Sequence, residues 1–377
     1  MKQFLTVILA ICLMFSTGCS KTGGLSINYR PIENLKLIHT IGFDTHKDGL
    51  RLSVSGGEKN NQGIIRLSAS GKNISDALAT VQKYSAKEEL YYAHTRYILV
   101  GEDYAKNGLG DVMQYLESSN QLRSDLPLFI LRNGQAKDLI QYAGGKENST
   151  FEVLEAVVRD CTRRGDAYPF TCGDIACFNA EYGSSLACAL NIVSTKEINT
   201  NAEDDQLTPI VSGFGVIKNG NLVGYLSENA AKGVCFLLGE FGTGELTINV
   251  DKQPTSLRIR SVDTTLCPTF GNRGTMTDLT IKMDIDATLE EHEQQDQVDF
   301  QKLNQSFSNE ASQWIEEILQ TMRNTQTDFL GLGARIAISY PKEWENNPLD
   351  WETQLKSLPM HTDVRCTVTA GENESKQ

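Results

Sequence analysis

The chain has 377 residues and a formal net charge of −13. That length exceeds one ordinary core and implies two or three domains, while an apolar fraction of 40% with 22% charged residues excludes intrinsic disorder. The acidic balance leaves no basic face to release counterions from phosphate, so nucleic acid is excluded as a partner, as is a body held to anionic lipid by basic patches.

At the N-terminus Lys2 supplies a small positive region, Phe4 to Phe15 is a nearly unbroken apolar run, and Ser16-Thr17-Gly18 leads with small side chains into Cys19. This is the pattern of a bacterial secretory signal over residues 1–18, with a lipoprotein-type cleavage site after Gly18. The run is well short of the roughly 20 residues that span a bilayer, so it is expected to be removed. Cys19 would then carry a diacylglyceryl group, and two acyl chains hold stably where one is marginal. Cys19 is therefore the expected lipidation site, and contact with the bilayer is expected through it. The bland alternative is an ordinary secretory signal in which Cys19 happens to follow Gly18. Residues 19–24 have the composition of a short tether.

Nine cysteines occur. With Cys12 lost in the signal and Cys19 acylated, Cys161, Cys172, Cys177, Cys188, Cys235, Cys267 and Cys366 remain, an odd and scattered set that is no disulfide framework. Several fall at apolar-patterned positions, where Cys behaves as a small buried hydrophobe. Cys172 and Cys177 are the pair to weigh as ligands or a disulfide, but their spacing fits no common metal pattern and no His lies nearby.

In chain order, Leu35 to Phe43 reads as a buried strand, with Asp44 beginning a turn. Leu50 to Val54 alternates with period two, and Ile64 to Ala69 forms another strand. Ile74, Ala77, Leu78, Val81 and Tyr84 recur at helical spacing over Ile74 to Glu89. Then come a strand at Tyr91 to Val100, a helix at Leu109 to Leu116, a strand at Leu126 to Leu131, a helix at Ala136 to Tyr142, a helix at Glu152 to Cys161 and a strand at Ser184 to Val193. The polar stretch Asn199 to Gln206 marks a linker. Ile210 to Ile217 and Leu222 to Leu226 are joined through Asn219-Gly220, a hairpin signal, because that dipeptide accepts positive φ at both central positions. A helix at Ala230 to Leu238 and strands at Leu246 to Val250 and Leu257 to Val262 follow.

From Leu279 to Leu289 apolar and polar residues alternate along a long strand. Phe300, Leu303, Phe307, Ala311, Trp314, Ile315, Ile318 and Met322 trace the stripe of the longest helix, Val298 to Arg323. In a last strand Val364, Cys366 and Val368 face inward. The expected fold class is α+β in three domains, with helices packed on mixed sheets. An N-terminal α/β domain would span 25–204, a small middle α+β domain 205–270, and residues 271–377 would place a long helix on a mostly antiparallel sheet.

Reactive constellations are sparse. His94 beside Arg96 in a predicted strand is a structural pair more readily than a base with a cation. His292 lies among Glu290, Glu291 and Glu293 on a solvated face. Neither GxSxG nor HExxH occurs, and no GK[ST] follows the glycines at 239, 242 and 244. No cofactor and no catalytic residue is expected. Trp314 falls on the apolar stripe of the long helix, whereas Trp344 near Pro341 is the candidate for a partner interface.

Several stretches then act together. They are Ile41-Gly42-Phe43-Asp44; Ala93-His94-Thr95-Arg96-Tyr97 with Ile98-Leu99-Val100-Gly101-Glu102; and Ser212-Gly213-Phe214-Gly215-Val216 with Leu222-Val223-Gly224-Tyr225-Leu226. The last is Asp328-Phe329-Leu330-Gly331-Leu332-Gly333 with Tyr340-Pro341, Trp344 and Trp351. Collinear over the mature chain, they resemble the lipoprotein C subunit of spore germinant receptors, the GerC family. That resemblance implies three domains, a place on the outer face of the inner spore membrane, and integral-membrane A and B subunits as partners in sensing nutrients. A solute-binding lipoprotein of a transporter is the alternative.

Overall fold

A computed structural model describes residues 35–57, 63–85, 88–144, 149–198, 206–241, 244–250, 253–272, 274–291, 299–347 and 349–370. The signal, Gly18, Cys19, the tether and His292 lie outside the described residues.

The chain opens with β1 (Leu35–His46), β2 (Gly49–Gly56), β3 (Ile65–Gly71) and helix α1 (Ile74–Tyr84). β4 (Glu89–Tyr91) and β5 (Tyr97–Gly101) follow, then α2 (Glu102–Asn107), α3 (Gly110–Ser118) and β6 (Leu128–Leu131). Helices α4 (Ala136–Tyr142), α5 (Thr150–Arg164) and α6 (Cys172–Tyr182) lead to β7 (Ser184–Ser194), α7 (Thr195–Ile198), the hairpin β8 (Leu207–Lys218) and β9 (Asn221–Leu226), and α8 (Glu228–Leu238). The remainder is β10 (Glu245–Val250), β11 (Gln253–Phe270), β12 (Met276–Glu291), α9 (Phe300–Thr325), α10 (Leu332–Ser339), α11 (Pro341–Glu345), α12 (Trp351–Leu355) and β13 (Met360–Ala370).

The first sheet runs β3-β2-β1-β5-β6-β7-β8-β9, with β4 also on β1. Its middle strands β1, β5, β6 and β7 are parallel, and antiparallel hairpins close both sides. β5 and β6 are buried along their whole length, which is why they read as short continuous apolar runs. The predicted strand over Tyr91 to Val100 is broken: β4 and β5 both pair with β1, and a 3-10 turn at Tyr92–His94 takes up the slack between them. His94 is exposed in that turn, and Arg96 is exposed just after it. Asp44 does not begin a turn either, because β1 continues to His46 against β2. The Asn219-Gly220 hairpin forms as expected, with φ of 48° and 81°.

The second sheet runs β10-β11-β12-β13. β10, β11 and β12 are antiparallel, whereas β13 joins β12 in parallel after crossing over through α9. The 26-residue α9 buries Leu303, Phe307, Ala311, Trp314, Ile315 and Ile318, the stripe read from the sequence. It also covers the open edge of β13: Ser308 Oγ accepts the Cys366 N–H at 3.0 Å and Asn304 Oδ1 the Val368 N–H at 2.8 Å. Edge donors so engaged cannot pair with another chain.

Residues 205–270 do not build a sheet of their own. β8 and β9 extend the first sheet while β10 and β11 start the second, so the predicted middle unit is shared between the two. Helix α8 joins them. A Cβ on its Gly233 would stand 3.0–3.3 Å from Ile318, Trp314 and Ile315, so the lack of one lets α8 approach α9 closely. Ser227, the N-cap of α8, donates from its backbone N and hydroxyl to Glu317 at 3.0 and 2.8 Å.

Candidate functional site

Three of the stretches singled out in the sequence, Ile41–Asp44, Val100–Gly101 and Asp328–Gly333, meet at two joints, each built around a buried carboxylate. In the first, Asp44 on β1 accepts the N–H groups of Ala136 and Lys137 at 2.7 and 2.8 Å. Helix α4 has no side-chain cap from Gln135, so a residue from a distant strand satisfies its first donors. Gly42 completes this joint, since a Cβ there would lie 2.7 Å from both Ala136 Cβ and Ile140 Cδ1. A Cβ on Gly101 would collide with the Asp44 carboxylate. The segments Ile41–Asp44 and Val100–Gly101 are thus two sides of one contact.

The second joint lies at the C-terminal end of α9. Asp328 Oδ1 accepts the Leu332 N–H at 2.8 Å, and Oδ2 accepts the Gly333 N–H at 2.8 Å and the Trp351 indole N–H at 2.7 Å. One carboxylate therefore starts α10 and fixes α12. Burial raises its pKa above the ordinary 3.8, and the hydrogen bonds from Gly333, Leu332 and Trp351 oppose that rise. The glycines of this motif have steric roles. Gly331 sits at φ 62°, with its absent Cβ 2.8 Å from the Tyr182 ring, and a Cβ on Gly333 would lie 2.7 Å from the Trp351 ring. Gly333→Ala should push the indole away from Asp328 and lower stability by about 2 kcal/mol through overpacking and a weakened buried hydrogen bond. Urea unfolding would show it as a fall in midpoint with unchanged slope.

Between Tyr182 and Trp351 lies a cavity of about 300 Å³. Glu181 and Tyr182 from the end of α6, Lys218 from the end of β8, Asp328, Trp351 and Glu352 line it, so both halves of the chain contribute. Lys218 Nζ donates to the Thr325 carbonyl at 2.9 Å, tying β8 to the end of α9.

Trp344, the interface candidate, is half-buried with its ring 5.9 Å from that of Trp351. In the preceding helix Ile338 is 81% exposed, and Leu349 is 46% exposed. Trp314 is buried at 2% and packs edge-on against Phe236 and Phe307. The cysteines at 161, 172, 177, 188, 235, 267 and 366 are free thiols, so Cys172 and Cys177 are not bridged. Burial pushes Cys161 up to about 11 and Cys172 and Cys366 up to about 12, which keeps them protonated and poorly nucleophilic. Among the described residues no group of three or more His, Cys, Asp or Glu side chains is placed to hold a metal, and no helix is long and apolar enough to cross a membrane.

The sequence reading missed what Asp44 and Asp328 do. The available signal was an Asp in two of the motifs, closing Ile41–Asp44 and opening Asp328–Gly333, but Ala136 and Lys137, which Asp44 holds, and Trp351, which Asp328 holds, lie far from them along the chain.

The architecture is that of a solved protein. A crystal structure of the GerBC protein superposes with a TM-score of 0.56 at 17% identity, covering 87% of this chain and 96% of that one. Residues 28–186 match the spore germination protein N-terminal domain, and residues 212–371 match the C-terminal domain described as spore germination B3/GerAC like. Spore germination protein KC of Bacillus subtilis is 23% identical, over 95% of this chain and 93% of its own length. Spore germination protein B3 of the same organism is 21% identical, over 80% and 79%. The chain belongs to this family of spore germination proteins, the GerC family.

Proposed function

We propose that the chain is the lipid-anchored, non-catalytic subunit of a spore nutrient germinant receptor, supporting assembly of the complex or coupling of its signal. The observation that carries this is the collinear match of both family halves behind a lipoprotein-type signal ending at Gly18-Cys19. Anchored through Cys19 on the outer face of the inner spore membrane, the body is confined beside integral-membrane A and B subunits. Such confinement raises its effective concentration for them without any new contact.

The buried carboxylates support a scaffold role, since Asp44 and Asp328 are spent on holding helices in place. The surface carrying Trp344, with Ile338 exposed on the preceding helix, is the proposed partner contact. Removing the mature body while the A and B subunits remain expressed should abolish the spores' response to that receptor's germinant. Restoring it with a Trp344→Ala chain should recover protein level but only part of the response. A full response without the body would overturn the reading; full rescue by the variant would remove Trp344 from the contact.

A further inference from the structure

β11 runs for 18 residues, but β10 covers only its first part: their pairing spans Gln253 to Arg258, and the Ile259 N–H then closes it on the Gly244 carbonyl at 2.8 Å. Beyond that point β11 continues to Phe270 with β12 on one side and, among the described residues, no strand on the other. The direction of its backbone groups follows from β12. The Leu279 N–H turns away from β11 to the Pro359 carbonyl at 3.0 Å, so Leu279 and its partner Pro268 form a non-hydrogen-bonded pair. Backbone groups alternate with period two, so Leu266, Thr264 and Val262 direct theirs, like Pro268, to the open side. The Tyr340 hydroxyl agrees with this direction, donating to the Leu266 carbonyl at 3.3 Å from the corner between α10 and α11.

The chain closes the other edges of this sheet with its own side chains. Helix α9 covers β13 through Ser308 and Asn304, and its Glu310 carboxylate accepts the Asn249 N–H on β10. The overhang of β11 is bounded instead. Pro268, which has no N–H, stops it at one end, and the bulge at Arg260, skipped in the pairing with β12, stops it at the other. Between these stops the N–H groups of Val262, Thr264 and Leu266 and the carbonyls of Val262 and Thr264 form a row that fits a further strand. The outer face adds a charge preference. Asp263 stands directly opposite Asp284 on β12, both exposed and neither in an ion pair among the described residues. Like charges directly opposite destabilise a sheet, whereas opposite charges stabilise it. Arg365, across from Asp284, is held by Asp363 at 3.2 Å, and Lys282 stands opposite Thr265.

We propose that β11, from Val262 to Leu266, takes up an extended segment of a partner protein as an added strand, with apolar residues on the Tyr340 side and a lysine or arginine beside Asp263. The residues whose backbone meets β11 carry the apolar side chains, because Val262, Thr264 and Leu266 face inward opposite Ile285, Met283 and Ile281. Ile338, 81% exposed two residues before Tyr340, flanks the same side. The added strand would thus continue the surface that carries Trp344. The assignment rests on that contact for the partner's place in a receptor, whereas the strand pairing is a property of this chain alone.

The probe is a capped hexapeptide of alternating valine and lysine. Titrated calorimetrically into the full-length lipoprotein in detergent, it should bind saturably at one site, and the same peptide with glutamate for lysine about tenfold more weakly. N-methylation of the valines removes the donors that face β11 and leaves every charge in place, so it should abolish binding and separates strand pairing from charge attraction. Thr264→Pro removes the middle donor of the row and should abolish binding with the thermal midpoint kept, since that N–H lies outside the ladder with β12. Asp263→Lys changes an exposed side chain and should reverse the preference between the lysine and glutamate peptides. No saturable binding, equal binding of the N-methylated peptide, or an unchanged preference in Asp263→Lys would each overturn the proposal. Sedimentation should show the free chain as a monomer; a dimer dispersed by Thr264→Pro would give the edge to a second copy and overturn the assignment to another protein. These readouts use the purified chain, so their failure would leave the receptor role standing.

Discussion

Replacing Asp328 by Asn should destabilise the protein by about 3 kcal/mol, because hydrogen bonds to a buried charged group contribute roughly 1.5–3 kcal/mol each and an unpaired buried donor is costly. Three N–H donors converge on this side chain, from Leu332, Gly333 and Trp351. An amide has one acceptor oxygen. Whichever way it is turned, its NH₂ faces at least one donor. Relief from burying a charge offsets part of the loss, since burial is the largest influence on Asp328 and raises its pKa.

That relief depends on pH. A carboxyl whose folded pKa lies above its ordinary 3.8 binds its proton more tightly in the folded state. Its contribution to stability is therefore largest below 3.8 and declines as pH rises through the folded pKa. The gap between wild type and Asp328→Asn should accordingly narrow as pH is raised across that window. Denaturant unfolding at several pH values would measure it, and a variant as stable as wild type throughout would remove Asp328 as the organiser of the joint. Trp351→Phe, which removes one of the three donors, should cost about 1.5 kcal/mol.

The second large effect concerns the proposed anchor at Cys19. Cys19→Ala should abolish acylation and move the protein from the membrane to the soluble fraction in cells lacking the A and B subunits. A single acyl chain binds only marginally, with an association constant of about 10⁴ M⁻¹, while two chains hold stably. Losing both therefore shifts partition almost completely. Metabolic labelling with palmitate reads the chemistry directly: label is expected on wild type and absent from the variant. Label on both, or on neither, would remove Cys19 as the lipidation site. In spores, release from the membrane with an unchanged nutrient response would show that the tether is dispensable to the receptor role.

Much of the fold was legible in the sequence, and the legible parts share a property. The helical stripe from Phe300 to Met322, the alternation from Leu279 to Leu289 and the Asn219-Gly220 turn are local patterns, set by the period of the helix, the pleat of the strand and the φ that the turn demands. The helices that the sequence reading does not assign, α2, α6, α7, α10, α11 and α12, are short or weakly patterned. Glu102–Asn107 has six residues, and Cys172–Tyr182 buries only Cys172 and Ile175. The start of α6 was nonetheless written in Thr171 and Asp174, whose side chains and backbones cap one another.

The division of residues 205–270 between two sheets was not legible. β8 and β9 have the alternation of any hairpin, and nothing local states that β8 pairs with β7 across the polar stretch before it. The 3-10 turn at Tyr92–His94 was hidden for the same reason. Continuous apolar residues on both sides read as one strand, and only pairing with β1 reveals that two short strands share that neighbour.

By itself the sequence determined the acidic balance, the periodic elements and, through its collinear motifs, the family, and it carries the expectation of an export signal ending at Cys19. The tertiary structure alone decided what those motifs are for. Asp44 reaches a helix that begins 92 residues later, and Asp328 joins α10 to Trp351. Gly331 and Gly333 matter only because Tyr182 and Trp351 press on them. Periodicity and turn chemistry act over a few residues and can be read along the chain, whereas a helix capped from a distant strand, an aromatic ring against a glycine or a cavity between the end of α6 and α12 is set by what folding brings together.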